Sequence, residues 1–221
     1  MKISTLIKKI LPYFYLIIYL ISTALILFKS AETGNVSAKQ SSSFAEYLQN
    51  NVIGMDKIAE KSEDFPTLIR KFFGHYGLFA LNGFFAILTL FSFLKTSTLP
   101  IIISVILGVI VAVLSELIQG ATDGRTLSST DAILNVQGYL SGVAVALILC
   151  LFFSFKRTEN FKNSVTSFIV FLTASILSII IYFIFSSKSE SVEFCTCVEF
   201  FVVSLWIIIE GSYLVYKRIK N

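Results

Sequence analysis

The sequence predicts an all-α fold, a polytopic transmembrane helical bundle of about six spans with both termini cytoplasmic. Three observations carry that reading. The 221 residues are 55% hydrophobic and only 14% charged, whereas a soluble globular chain is nearer a quarter charged. Runs of roughly 18 to 20 apolar residues recur, each long enough to cross a bilayer. The connections between them alternate between basic and acidic, as the positive-inside rule requires. A mean hydropathy of +0.80 agrees, and the net charge of +4 is accounted for by topology, with no nucleic acid partner implied.

The first span, about Ile10–Phe28, comes after Lys2, Lys8 and Lys9. Its apolar run is too long for a signal-peptide core, and Lys29 occupies the −3 position for cleavage after Ala31, so residues 1–29 read as a retained signal-anchor. Residues 30–69 form the one long polar segment, placed outside the cell and too short for a core of its own. Phe44, Tyr47, Leu48, Val52 and Met55 recur at helical spacing there, predicting one or two short helices on the membrane surface or over the adjoining site. Phe65-Pro66 separates this segment from the second span.

Residues 70–153 hold three spans. The second is expected over Phe72–Leu94, opened by Arg70, Lys71 and His75, the chain's single histidine. His75 and Asn82 stand seven apart, so both can look into the bundle; an interfacial histidine bonded at headgroup level is the plainer alternative. After the turn Lys95–Thr98, Pro100 suits the first turn of the third span, Leu99–Leu117. The fourth, Asp131–Phe153, begins with a carboxylate where the helix dipole favours one, and Ser128, Ser129 or Thr130 can cap it. Residues 154–221 supply spans five and six, Val165–Phe185 and Val198–Tyr216. Glu210 lies inside the sixth as a secondary candidate, and Glu199 is expected to face water. With both termini inside, ten basic residues and one acid, Glu159, fall on the inner segments. The junction of spans three and four then faces outward.

That junction is the densest polar constellation in the chain. Glu116, Gln119, Arg125, Asp131 and Asn135 fall within twenty residues, and a carboxylate near the end of an apolar span asks for a partner. Arg125, in the connection, is the evident one. Asp131, Asn135, Gly138 and Gly142 form one helical stripe; Gly108, Ala112, Glu116 and Gln119 form another. An antiparallel hairpin sets Gln119 against Asp131 and Glu116 against Asn135. Gly108 and Ala112 then face Gly138 and Gly142, where small residues allow close approach in lipid. Residue types suited to acid–base work (His75, Glu116, Asp131) thus lie beside groups suited to holding an anion (Lys71, Gln119, Arg125, Asn135).

The cysteines add little. Cys150 is expected in the core and Cys195 and Cys197 on an outer loop, where two thiols without a third ligand make a poor zinc site. No metal or cofactor is implied, and no phosphate-binding loop, dinucleotide fingerprint or hydrolase motif occurs.

The spaced pattern E-x2-Q-x5-R-x5-D-x3-N-x2-G-x3-G, running from Glu116 to Gly142, resembles the signature of the VanZ-like family, and Lys71 and His75 match its arrangement on the preceding span. The resemblance covers roughly residues 70–151. It implies a bacterial membrane protein of the cell envelope, in a family whose name-giving member gives low-level resistance to teicoplanin. Three functions are then expected in competition: an envelope protein that alters how teicoplanin-type glycopeptides engage the surface; a membrane enzyme acting on a lipid-linked phosphate or carboxylate; and a structural protein in which the cluster is a buried seam. The partners implied are membrane lipids and a lipid-linked envelope precursor or a glycopeptide.

Overall fold

The computed structural model describes residues 3–62, 64–94, 98–152, 169, 172–173, 176–177, 180 and 190–220, and every element among them is helical. Helix α1 spans Ile3–Ser30, α2 Gly34–Asn51, α3 Met55–Lys61 and α4 Phe65–Ile69; a π-helical turn, Arg70–Gly77, leads without a break into α5, Leu78–Phe93. Helices α6 (Thr98–Gly120) and α7 (Ser129–Phe152) form the hairpin, and α8 runs over Glu190–Lys220. Among the described residues four helical stretches are long and apolar enough to cross a membrane: Lys9–Ser30, Phe65–Phe93, Thr98–Gly120 and Ser129–Cys150. The fifth predicted span, Val165–Phe185, lies outside the described residues apart from isolated positions. The sixth falls within α8, whose apolar stretch is the shorter Cys195–Ile209.

Helix α7 is the axis of the bundle. Leu134, Val143, Ala144 and Leu147 are fully enclosed, while α1 exposes Ile17, Leu20, Ile21 and Leu25 along one side. The closest approach is made by glycines. A Cβ at Gly138 would overlap the backbone oxygen of Tyr76, one at Gly142 that of Ala80, and one at Gly83 that of Tyr139. The small-residue stripe of α7 therefore packs against the π turn and α5. This corrects the expected pairing with Gly108 and Ala112 of α6. Gly108 instead makes room for the Tyr139 ring, whose hydroxyl lies 3.1 Å from Ser104 Oγ, and Ala112 is fully buried in the same core.

Hydroxyl and amide groups tie α1 to this core, as expected where lipid supplies no hydrophobic drive between helices. Asn82 Nδ2 donates to Ser22 Oγ and Thr23 Oγ1, each at 2.8 Å, and Ser30 Oγ meets Ser115 Oγ at 2.8 Å. The polar segment folds as two helices. Ala45 and Leu48 of α2 pack with Met55 and Ala59 onto Phe65 and Ile69, so the buried face includes Leu48 and Met55 but leaves Phe44 and Tyr47 exposed. Asp64 caps α4, accepting from the Thr67 amide at 3.1 Å, which begins the second span seven residues earlier than its apolar run suggests.

Two further expectations are corrected along α8. Cys195 and Cys197 lie on a helix and not on a loop. Cys195 is buried and Cys197 exposed, because residues two apart on a helix face different ways. Glu199, expected in water, is fully buried. Cys150 is only partly buried, and the side chain of Glu210 lies outside the described residues.

Candidate functional site

Helix α6 ends on its polar turn, and there Glu116 is 3% exposed. A carboxylate so buried is stable only when its lone pairs are occupied, and three donors occupy them. Asn135 Nδ2 and Gln119 Nε2 each donate to Oε1 at 3.1 Å, and the Ser128 backbone N–H donates to Oε2 at 3.3 Å. The same Ser128 caps α7, its Oγ accepting from the Asp131 amide at 3.2 Å. The Glu116–Asn135 approach is the one the antiparallel stripes predict. Gln119 does not meet Asp131; it turns back along α6 to Glu116.

Arg125 reaches the carboxylate at one remove. Its Nη2 donates to Gln119 Oε1 and its Nη1 to the Lys29 carbonyl at 3.3 Å, so the expected direct Glu116–Arg125 pair is replaced by Arg125–Gln119–Glu116. The loop carrying Arg125 turns at Gly124, whose φ of 70° is left-handed, a conformation glycine adopts without steric cost. Gly34 lies against it so closely that a Cβ would overlap the Gly124 oxygen, and the Gly34 amide donates to Asp123 O at 3.0 Å. The first turn of α2 is thereby seated on the hairpin loop.

The π turn brings the other half of the site. His75 Nδ1 lies 3.0 Å from Asn135 Oδ1. Since Asn135 gives its N–H to Glu116, its oxygen is the acceptor here, and His75 must carry a proton on Nδ1. The ring's Nε2 then points at Asp131 Oδ2, 3.9 Å away, and the other oxygen of Asp131 stands 3.7 Å from Lys71 Nζ. That Oδ1 is buried and accepts no hydrogen bond. The groups form one continuous relay: Arg125, Gln119, Glu116, Asn135, His75, Asp131, Lys71. A π turn is a recurrent feature of functional sites. Here its i→i+5 bonding rotates His75 toward α7 while Asn82, seven residues on, faces α1.

A cavity of about 340 Å³ opens beside the relay. Its polar lining includes Lys29, Glu32, Arg70, His75, Gln119 and Arg125, and Ile26, Phe44, Ile69, Phe73, Leu78 and Phe79 supply its apolar part. Lys29 is neutralised by Glu32 at 2.7 Å and also donates to Gln40 at 2.8 Å. Burial pulls the Arg125 guanidinium below its ordinary pKa, and the neighbouring charge of Arg70 adds to that effect.

Arg70 is the site residue that sequence reasoning missed, having placed it only as a flanking charge; its adjacency to Lys71 and His75 was the available signal. Ser115 and Ser128 were likewise not expected to bond Gln119 and Glu116, and no pattern marks such a hydroxyl acceptor or backbone donor in advance. A family model described as VanZ/LLP1 matches residues 13–152, taking in α1 and the polar segment as well as the hairpin. No curated protein and no solved structure matches the chain.

Proposed function

The chain belongs to the VanZ/LLP1 family, and from that premise we propose that it works at the extracytoplasmic surface of the bacterial cell membrane, where its Glu116–Arg125–Asp131 hairpin alters how teicoplanin-type glycopeptides engage the envelope. The action proposed is binding, without bond-making. One observation carries this reading: the run Arg125–Gln119–Glu116–Asn135–His75 is joined by hydrogen bonds and borders a cavity lined by Lys29, Arg70 and Arg125 with Glu32 as its acid. A charged network held this rigidly is suited to presenting Arg125 to an anion. The excess of basic residues on the alternate connections supports an outward orientation for that end of the hairpin.

The test is the teicoplanin inhibitory concentration in a sensitive Gram-positive host expressing wild type, Arg125→Ala or Glu116→Gln at matched membrane abundance, with vancomycin alongside. A teicoplanin-selective rise that both substitutions remove is expected. A well-expressed wild type that gives no rise overturns the resistance assignment.

A second reading has its own observation. His75 Nε2 faces Asp131 Oδ2 across 3.9 Å, an arrangement suited to general acid–base work on a lipid-linked phosphate or carboxylate held by Lys71 and Arg125. On that reading His75→Ala abolishes activity while the protein stays abundant and folded. The structural alternative, a seam that only fixes two helices, predicts lost abundance for Arg125→Ala and Glu116→Gln alike.

A further inference from the structure

The cavity beside the relay has a composition that packing does not require. Arg70 and Arg125 both line it. Among the described residues neither guanidinium is paired with a carboxylate: Glu32 is engaged by Lys29, Asp131 by Lys71, and Glu116 is reached only through Gln119. Arg70 Nε is buried without a hydrogen-bond partner. Two guanidiniums facing one enclosed space repel each other, and an orphaned N–H there carries its full desolvation penalty. An anion between them removes both costs, and a guanidinium fork fits a phosphate bidentately.

The opposite wall is apolar, and it ends at an aromatic rim. Phe44 of α2 and Phe73 of the π turn stand edge to face with centroids 5.5 Å apart, exposed to 41% and 42%. Aromatic residues at such a mouth suit the membrane interface. The volume is at the small end for ligand sites, enough for a headgroup and the first carbons of a chain, with the remainder leaving past the rim. Ser37, Gln40 and Ser41 of α2 line the polar side and are placed to bond headgroup hydroxyls.

We propose that this cavity binds the phosphate headgroup of an anionic lipid, gripped between Arg70 and Arg125, with its chain leaving across Phe44 and Phe73. This inference rests on the reading of the hairpin as a membrane-surface binding site and names the chemistry of its ligand.

The experiment uses the full chain purified in a neutral detergent. Phosphatidylglycerol and phosphatidylcholine with identical chains are titrated as mixed micelles, with inorganic phosphate as the soluble arm. Binding is read by native mass spectrometry and by the rise in apparent Tm. Saturable binding of phosphatidylglycerol, about tenfold or more tighter than phosphatidylcholine, is expected. Arg70→Gln and Arg125→Gln should each weaken it about tenfold or more, while Lys39→Gln, an exposed charge of α2 outside the cavity, should not. Ser41→Phe, which fills the cavity with both arginines intact, should also remove binding and decides the matter if an arginine variant fails to fold. Equal binding of the two lipids, indifference to Arg70 and Ser41, or an equal loss with Lys39→Gln overturns the proposal. Inorganic phosphate binding as tightly as the lipid overturns its lipid part. Retained lipid binding by a protein with no effect on teicoplanin would overturn the resistance reading alone.

Discussion

Helix α7 carries two buried polar layers, and they are built to different ends. The first, around Asn135 and Asp131, joins α6 and the π turn and contains Glu116, His75 and Lys71. The second lies deeper. There Tyr76 donates to Ser141 Oγ at 2.7 Å, and Gln137 Nε2 meets Thr196 Oγ1 of α8 at 3.1 Å. Both layers are as buried as the apolar core around them. The bonds of the deep layer pair neutral groups, each an alternative to an apolar contact, with the buried Glu199 of α8 near Tyr76. The shallow layer holds ionisable groups that no apolar packing can replace singly, and a cavity opens beside it. Burial alone therefore does not distinguish a site from a seam; unreplaceable charge next to accessible space does.

The largest effect should come from Asn135→Leu. It removes one of the three donors to Glu116 and the acceptor for His75 at once, leaving the carboxylate one donor short and the buried His75 N–H unpaired, the latter at about 1–3 kcal/mol. A fall of several degrees in apparent Tm, with reduced membrane abundance, is the expected outcome. An unchanged Tm would mean that water or the remaining Gln119 and Ser128 donors suffice for Glu116, and the relay would lose its claim to rigidity.

Ser141→Ala in the deep layer should cost less, about 1–3 kcal/mol, by stranding the Tyr76 hydroxyl. Adding Tyr76→Phe should restore most of that loss, because removing both partners of a neutral bond leaves nothing unsatisfied. The corresponding double change in the shallow layer, Asn135→Leu with His75→Phe, should not recover, since Glu116 stays one donor short and Asp131 loses its imidazole neighbour. Equal recovery in both layers would erase the distinction between them. Gly142→Leu, which drives a side chain into the Ala80 backbone, probes packing without touching either layer. It should cost about 1–3 kcal/mol in Tm through overpacking alone, leaving the lipid affinity of the folded fraction unchanged.

How far the sequence foretold these layers depended on the kind of information each needed. Long apolar runs fix helices without reference to neighbours, so α1, α5, α6 and α7 were legible from hydropathy. The hairpin constrains two consecutive helices to lie antiparallel, so the Glu116–Asn135 approach was legible from spacing. A stripe of small residues reveals which face packs closely but not which helix it meets. Gly138 and Gly142 consequently met the π turn and α5, which no loop length ties to them. The π turn was invisible because nothing in R-K-F-F-G-H-Y-G departs from ordinary helical periodicity, yet it decides where His75 points. Glu199 was misplaced for a related reason: its burial depends on α7 presenting a polar layer to α8, a tertiary fact.

The smallest predicted effect tests the entry to the shallow layer. Asp64 lies outside the apolar spans, about two turns before Arg70 and Lys71, and caps α4 through the Thr67 amide. A hydrogen bond with the Thr67 side chain holds its carboxyl below the usual pKa; burial opposes this, and the Thr67 amide and the nearby charges of Arg70 and Lys71 add to the lowering. A depressed folded-state pKa means the stabilisation is fully present above the unfolded value, about 4, and is lost as pH falls through the folded one. Asp64→Ala should therefore cost about 1 kcal/mol at neutral pH and progressively less on acidification below pH 4. Asp64→Asn keeps a capping oxygen at every pH, so its Tm should track wild type at neutral pH and lack the acid-dependent part of the decline. The deep layer's Tyr76, Ser141, Gln137 and Thr196 carry no charge over that range. A Tyr76→Phe variant run over the same range loses no charge of its own, so a slope in its difference from wild type would report the buried carboxylate of Glu199 near that ring.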